Sequence, residues 1–237
     1  MWRVFYCQDV GGEAGVKYTK PALSFEQQAD QLLQRGFQAD RARLIETLSR
    51  VSYYRLSAYW HPFKRADETF APGTTLDKVW RRYTFDWQLR LLVMDAIERV
   101  EAASFGTLFT FYRYVNFLEQ KQPASELGLP ANVLQSWLFC LNYIRNLCAH
   151  HSRLWNRGLG IRPLIRDRKN APHWHLPATS DNRRTFAVLT LLRWLLRRIA
   201  LQSQWAERLR GLLKGYPDIP LNLAGFPAAR ESSPIWK

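Results

Sequence analysis

Acidic side chains are scarce in this chain of 237 residues: 20 Asp and Glu stand against 34 Lys and Arg, a formal charge of +14. The shortage is uneven. Residues 141–210 hold 14 Lys or Arg and 3 Asp or Glu, a local balance of +11. A field of that sign favours a polyanion, most simply nucleic acid. Cysteine is equally sparse, with Cys7, Cys140 and Cys148 alone and no Cys-x-x-Cys. On one helix Cys140 and Cys148 would stand about 12 Å apart, too far for a disulfide. The odd count excludes a disulfide framework and points to a reducing cytoplasm. With no acidic or thiolate cluster to hold an ion, neither a metal nor another cofactor is expected. Long apolar runs are missing, and so is an isolated amphipathic terminal helix, so no membrane partner is expected. Met1 to Val10 lacks a charged leader followed by an apolar segment, which argues against a signal peptide.

What the chain does have is helical periodicity. Hydrophobic residues make up 47% and charged ones 23%, enough for a sizeable core in one domain or two small ones. Ser24-Phe25-Glu26-Gln27 after Pro21 reads as a capping box, with Gly36 as the stop. Leu44, Leu48 and Val51 give a second helix its apolar stripe. That helix is expected to run on through Tyr53-Tyr54-Arg55-Leu56-Ser57-Ala58-Tyr59-Trp60 and end near His61-Pro62. The aromatic patch could stack bases or pack its rings into the core, and a buried Arg55 would need a partner. After a loop at residues 66–74, a long helix is expected over about residues 75–100. Its inward face is Leu89, Leu92, Val93, Ala96, Ile97 and Val100, with Asp95, Glu98 and Glu101 solvated or paired with nearby Arg. Another helix is read over residues 105–118, a linker over 121–130, and a helix from Asn132 burying Leu134, Leu138, Leu141 and Ile144. Residues 158–180, including His173-Trp174-His175, read as an irregular basic loop. Asp181 reads as the cap of a last long helix to about Leu213, and residues 214–237 as an extended Pro-rich tail. The expected fold class is all-α.

The chemistry concentrates in residues 145–157, RNLCAHHSRLWNR, where Arg145, His150, His151, Arg153 and Arg157 meet no acidic neighbour. A guanidinium neutralises phosphate oxygens and an imidazole moves protons near neutral pH, a combination suited to a phosphodiester. At about 100° per residue Asn146 and His150 share a helix face, while about 140° separates Arg145 from His150. One helix thus presents Arg and His around a broad polar edge, and a second copy of that edge would complete a pocket. The competing reading is that adjacent histidines at a helix end cap carbonyls and complement the dipole. His151, Arg153 and Arg157, with Arg193 and Arg197 one turn apart downstream, are the candidate substrate contacts.

Several ordered segments resemble the AbiD/AbiF-like abortive infection family of bacteria, within the HEPN superfamily. Lys20-Pro21-Ala22-Leu23-Ser24 leads into Gln28, Leu32 and Arg35-Gly36, and the aromatic run extends to His61-Pro62-Phe63. Phe85-Asp86, Leu89-Arg90-Leu91-Leu92 and Asp95-Ala96-Ile97-Glu98-Arg99-Val100-Glu101 are similar to the family's central helix. Ser136-Trp137 and residues 145–157 are similar to its C-terminal signature, and Ile219-Pro220 and Gly225-Phe226-Pro227 to its tail. Together they cover most of residues 17–237; residues 1–16 match nothing in it. There is one departure. Between the counterparts of Glu101 and Ser104-Phe105-Gly106-Thr107-Leu108 the family carries several tens of residues, whereas here the two pieces nearly abut. The chain therefore reads as a natural short form or an internally deleted one, with the deletion near residues 101–104.

The resemblance implies a HEPN-like helical bundle over residues 75–213, preceded by a helical region with the aromatic signature over 17–65. It implies a metal-independent RNase of the Arg-x-x-x-x-His type with Arg145, Asn146 and His150 as catalytic residues, working as a homodimer in phage defence. Small RNAs or an antitoxin are the further partners it suggests. In that scheme a ribose 2′-hydroxyl attacks the neighbouring phosphate, so RNA rather than DNA is the substrate. His150 serves as general acid or base, Arg145 stabilises the transition-state charge, and Asn146 orients the imidazole or a phosphate oxygen. The alternatives left open are a non-catalytic RNA-binding or regulatory protein, and the toxin subunit of a toxin–antitoxin pair.

Overall fold

Ser24 caps the first helix, α1 (Phe25–Gln34), as the sequence leads one to expect. Its side chain accepts from the Gln27 amide at 3.3 Å, and the Gln27 side chain accepts from the Ser24 amide at 2.9 Å. The computed structural model describes residues 23–103 and 121–237. The helix ends at Gly36, φ 87°. There the Gly36 and Phe37 amides turn back to the Leu33 and Leu32 carbonyls at 3.0 Å each, a Schellman end that calls for a left-handed residue.

The second helix is two helices. Ser52 has φ 68° and separates α2 (Arg41–Val51) from α3 (Tyr53–Trp60). Its side chain then caps α3 through the Arg55 amide. Of the aromatic patch, Tyr59 and Trp60 are core, with Trp60 packed edge-on against Phe37 and Tyr53. Tyr54 is 88% exposed, and Arg55 is half-buried, so it is not the buried cation that would have required a partner.

Next comes α4 (Leu76–Ala103), 28 residues and about 42 Å long at 1.5 Å per residue. It serves two cores. Leu76 and Val79 pack with Leu32, Leu44, Leu48 and Leu56 from α1–α3. Phe85, Leu89, Val93, Ala96, Ile97 and Val100 belong instead to the larger core built with the C-terminal helices. The helix expected over residues 105–118 lies outside the described residues. A short helix, α5 (Lys121–Glu126), stands where a linker was expected. It is followed by α6 (Ala131–Ala149), which buries Leu134, Trp137, Leu138, Leu141 and Ile144.

Two further expectations fail. The last long helix is broken into α7 (Thr185–Ile199) and α8 (Trp205–Gly215). Ala200 leaves helical space at φ −139°, ψ 67°, and the turn carries Trp205 back to α4. There its buried indole donates to the Leu92 carbonyl at 2.8 Å. Asp181 does not cap α7; it accepts from the Arg183 amide and guanidinium. Nor is the tail extended. Prolines forbid a long helix there, but short 3-10 turns at Leu221–Ala224 and Arg230–Ser232 let Ile219, Phe226 and Ile235 bury themselves. Trp236 stacks on Phe186 with ring centroids 5.6 Å apart. The described residues are otherwise helix and loop, with only two isolated bridges, Gln38 to Thr75 and Lys64 to Phe70.

Asp86 sits where α4 passes from one core to the other, with no exposed surface. One oxygen accepts from the Tyr59 hydroxyl at 2.6 Å and the other from the Leu154 and Trp155 amides at 3.0 and 2.5 Å. The Arg90 Nε is 3.3 Å away, an ion pair whose N–H is not aligned as a hydrogen bond. Burial pushes the Asp86 pKa above the ordinary carboxylate range, while Tyr59, the Trp155 amide, Arg90 and the Leu154 amide pull it back. Burial and the carboxylate beside it raise the Tyr59 pKa, so its hydroxyl stays a donor. Removing one partner of a buried charge pair costs about 3–5 kcal/mol. Asp86→Ala should therefore lower Tm by about 6–20 °C for a chain of this size, read by circular dichroism. Tyr59→Phe should cost less, about 1–3 kcal/mol. An Asp86→Ala protein that melts with wild type would show that this network does not hold the fold.

Candidate functional site

The end of α6 sets the site's geometry. His150 is the C-cap and His151 follows with φ 55°. The His151 amide donates to the Cys148 carbonyl at 3.0 Å, and the Ser152 amide to that of Leu147 at 2.9 Å. This is the same Schellman end as at Gly36, with histidine in the left-handed position that glycine usually fills. The chain reverses sharply there. Both histidines, together with Arg145 and Asn146, are left on the exposed side. Four residues beyond the C-cap the chain is anchored again: Leu154 and Trp155 are fully buried with their amides on Asp86, and the Thr185 hydroxyl at the start of α7 donates to the Leu154 carbonyl at 2.9 Å. The motif edge is thus short, exposed and pinned on both sides.

Arg145, Asn146 and His150 are brought together on this edge, with His151 next to them. Arg145 is not unopposed. Its Nε lies 3.4 Å from a Glu101 carboxylate oxygen near the end of α4, and both side chains keep substantial solvent contact. Burial raises the Glu101 pKa and Arg145 draws it back down, so this carboxylate loses its charge at a higher pH than an ordinary glutamate. Cys148 faces inward from the same helix, and burial pushes its thiol up to about 12. It is no nucleophile at neutral pH.

The other expected contacts divide. Arg157 is half-buried in the loop that follows the motif. Arg153 is committed elsewhere: its guanidinium donates to the Ala58 carbonyl of α3, tying the loop to the aromatic helix. That internal bond uses one nitrogen of a half-buried guanidinium that carries five N–H donors. Arg193 and Arg197 stand apart from the motif edge. Thr185, at the start of α7, lies beside Leu154, so Arg197 is 12 residues further along, about 18 Å away at 1.5 Å per residue. Arg197 donates to the Pro234 carbonyl at 3.2 Å. Arg193 is half-buried, with its pKa lowered first by burial and then by Arg197.

Sequence reasoning passed over Asp86 and Arg82 as supports of this edge. The Arg82 guanidinium lies 4.0 Å from the Phe63 ring centroid and 5.3 Å from that of Trp155, largely buried beneath the loop. The available signal was the Asp86–Arg90 spacing of four residues on an otherwise apolar helix face. Among the described residues no group of three or more His, Cys, Asp or Glu is placed to hold a metal, and no helix is long and apolar enough to cross a membrane.

The family model described as Abi-like protein matches residues 46–104 and 100–156. Over residues 46–156 the chain is Abi-like. That match connects it with abortive infection. The two matched pieces overlap at residues 100–104, the place at which the sequence alone suggests an internal deletion. Together they take in Tyr59, Asp86, Arg90, Leu154 and Trp155, and Arg145, Asn146 and His150. No match is found among curated proteins or among solved structures.

Glu101 is the one carboxylate paired with the motif among the described residues. A half-exposed ion pair contributes about 0–1 kcal/mol to stability, so Glu101→Gln should leave Tm within about 3 °C of wild type. Freed from its partner, Arg145 should then bind RNA about three- to fivefold more tightly, measured by fluorescence anisotropy in a His150→Ala background. Unchanged affinity would mean that Arg145 does not meet the RNA.

Proposed function

We propose that this Abi-like protein is a metal-independent endoribonuclease of the HEPN, Arg-x-x-x-x-His type, acting in bacterial phage defence by abortive infection. The observation that carries the reading is the shared exposed edge of Arg145, Asn146 and His150 at a helix end pinned by Asp86. The ribose 2′-oxygen attacks the adjacent phosphorus and the 5′-oxygen leaves, giving a cyclic phosphate end and a 5′-hydroxyl end. One imidazole takes the 2′-proton and another returns a proton to the 5′-oxygen. Arg145 carries the added charge on the phosphate oxygens in a bidentate manner. Asn146, on the face of His150, orients the imidazole or a phosphate oxygen. His151 and Arg157 extend the contact to neighbouring phosphates.

Two imidazoles in one cleft call for two chains. Phe139, Tyr143, Asn146 and His150 fall within about 60° of one another on α6, and Phe139 is 46% exposed. We place the two-fold interface of a homodimer on this face, with a small RNA or an antitoxin protein as a further partner. Light scattering at micromolar concentration should give a dimer, and Phe139→Glu should yield a monomer that no longer cleaves. A monodisperse wild-type monomer that still cleaves RNA would sink the shared cleft.

Loss of one general acid–base group costs about 10²–10⁴ in rate. His150→Ala and Arg145→Ala should each remove cleavage of labelled RNA to that extent with the fold intact. Arg145→Lys should not restore it, for want of the planar fork, and Cys148→Ala should be nearly silent. Cleavage should persist in EDTA. Equal cleavage by wild type and His150→Ala, or a requirement for added divalent metal, would replace this reading with that of a non-catalytic RNA-binding or regulatory protein.

A further inference from the structure

A pocket of about 520 Å³ opens at the C-terminal end of α7, lined by His173, Trp194, Arg197, Arg198, Pro234 and Ile235. It is remote from the motif edge, since α7 begins beside Leu154 and runs about 18 Å before reaching Arg197. Its wall is a flat stack. The His173 ring lies 5.0 Å from the Trp194 ring, tilted by 11°. The Arg198 guanidinium carbon lies 3.4 Å from the centroid of the same indole, while its Nη1 donates to the Trp194 carbonyl at 3.2 Å.

The pocket is electrically one-sided. The charges acting on His173 are Arg166, Arg198 and His175, and those acting on Arg198 are Arg197 and Arg166. No carboxylate is among them. Arg197 spends one nitrogen on the tail carbonyls of Pro234 and Ile235. The Trp194 indole N–H and the His173 Nε2 are buried with no hydrogen-bond partner. Complementing the C-terminal dipole of α7 accounts for cations in its last turn. It does not account for the stack; Arg166, close enough to add its charge, is not part of the lining and donates to the Gly128 carbonyl at 3.3 Å.

We propose that this pocket binds a phosphorylated nucleoside, the phosphate held by Arg197 and Arg198 and the base laid against the His173–Trp194–Arg198 stack. Guanidinium pairs bind phosphate by charge-assisted, bidentate hydrogen bonds, and a flat aromatic wall takes any base. The volume falls in the range of small-ligand sites, about 300–1,000 Å³. A free nucleotide and the phosphorylated end of an RNA strand present this same chemistry. The site does not depend on the cleavage proposed above.

Isothermal titration calorimetry on the full chain tests it. Wild-type protein is titrated with adenosine 5′-monophosphate, adenosine and inorganic phosphate. His150→Ala protein is titrated with a short RNA carrying either a 5′-phosphate or a 5′-hydroxyl. We expect the nucleotide to bind, with adenosine and phosphate each about tenfold weaker or more, and Arg198→Gln to lose about tenfold or more in affinity. If Arg198→Gln alters the far-ultraviolet spectrum, Arg197→Gln should show the same loss. Binding of the free nucleotide with no gain from an RNA 5′-phosphate assigns the site to the nucleotide. A 5′-phosphate gain that is lost in the arginine variant, without nucleotide binding, assigns it to a strand end. Both together assign it to either source. Absence of nucleotide binding and of any 5′-phosphate effect, or affinities unchanged in both arginine variants, overturns the proposal.

Discussion

Asp86 has no contact with water, and an isolated carboxylate in that position would cost several kcal/mol. It is tolerated only because Tyr59 from α3, Arg90 from its own helix and two amides from the loop after α6 converge on it. Those donors come from three separate stretches of chain. None of them can leave without stranding a buried charge, so the small N-terminal core, the larger C-terminal core and the motif loop share one constraint. Hydrophobic burial alone would not supply this, because apolar contacts are non-directional and would permit the loop to slide. The directional bonds at Asp86 fix where residues 154 and 155 stand, and the Schellman end at His151 fixes where the helix stops. Between these two points only the half-buried Ser152 and Arg153 remain, and the exposed Arg145, Asn146, His150 and His151 stand immediately ahead of this short fixed stretch.

Charge count and available charge differ in this protein. The balance of +11 over residues 141–210 describes a field, but many of the arginines that make it are employed in the fold. Arg153 holds α3, Arg197 holds the tail, and Arg208 pairs with Asp95 across to α4. Arg81, outside that span, pairs with Asp218 at 2.6 Å. Exposed cations remain at the motif edge, at the pocket at the end of α7, and in the loop between them at Arg162, Arg168 and Lys169. Long-range attraction of a polyanion uses the whole field, whereas contact uses only these groups.

Helix interiors were legible in the sequence because their apolar spacing reports one buried face. The stripes of α2, α4 and α6 are buried nearly residue for residue, and the exposed capping box of α1 is formed as well. Breaks were not legible where no glycine or proline marks them. Ser52 takes a left-handed φ that a sequence pattern does not reveal, and Ala200 ends α7 because Trp205 is required at α4. The tail was misread because its prolines speak for local stiffness and say nothing of where Phe226 and Ile235 find a surface. Within the candidate site, the spacing of Arg145, Asn146 and His150 was enough to place them on one edge. The commitment of Arg153 to Ala58 depends on a contact across 95 residues of chain, which no local pattern can carry.

The position of Asp86 within α4 also bears on how such chains can change in length. Asp86 is 17 residues from Ala103, about 25 Å along the helix, and the two pieces matching the Abi-like family join at residues 100–104. Of the core residues on α4, all but Val100 lie ahead of that joint. Glu101, by contrast, stands at the joint itself, and it is the residue that holds Arg145. A change of chain at that joint therefore bears first on the grip on Arg145, about 22 Å along α4 from the anchor at Asp86.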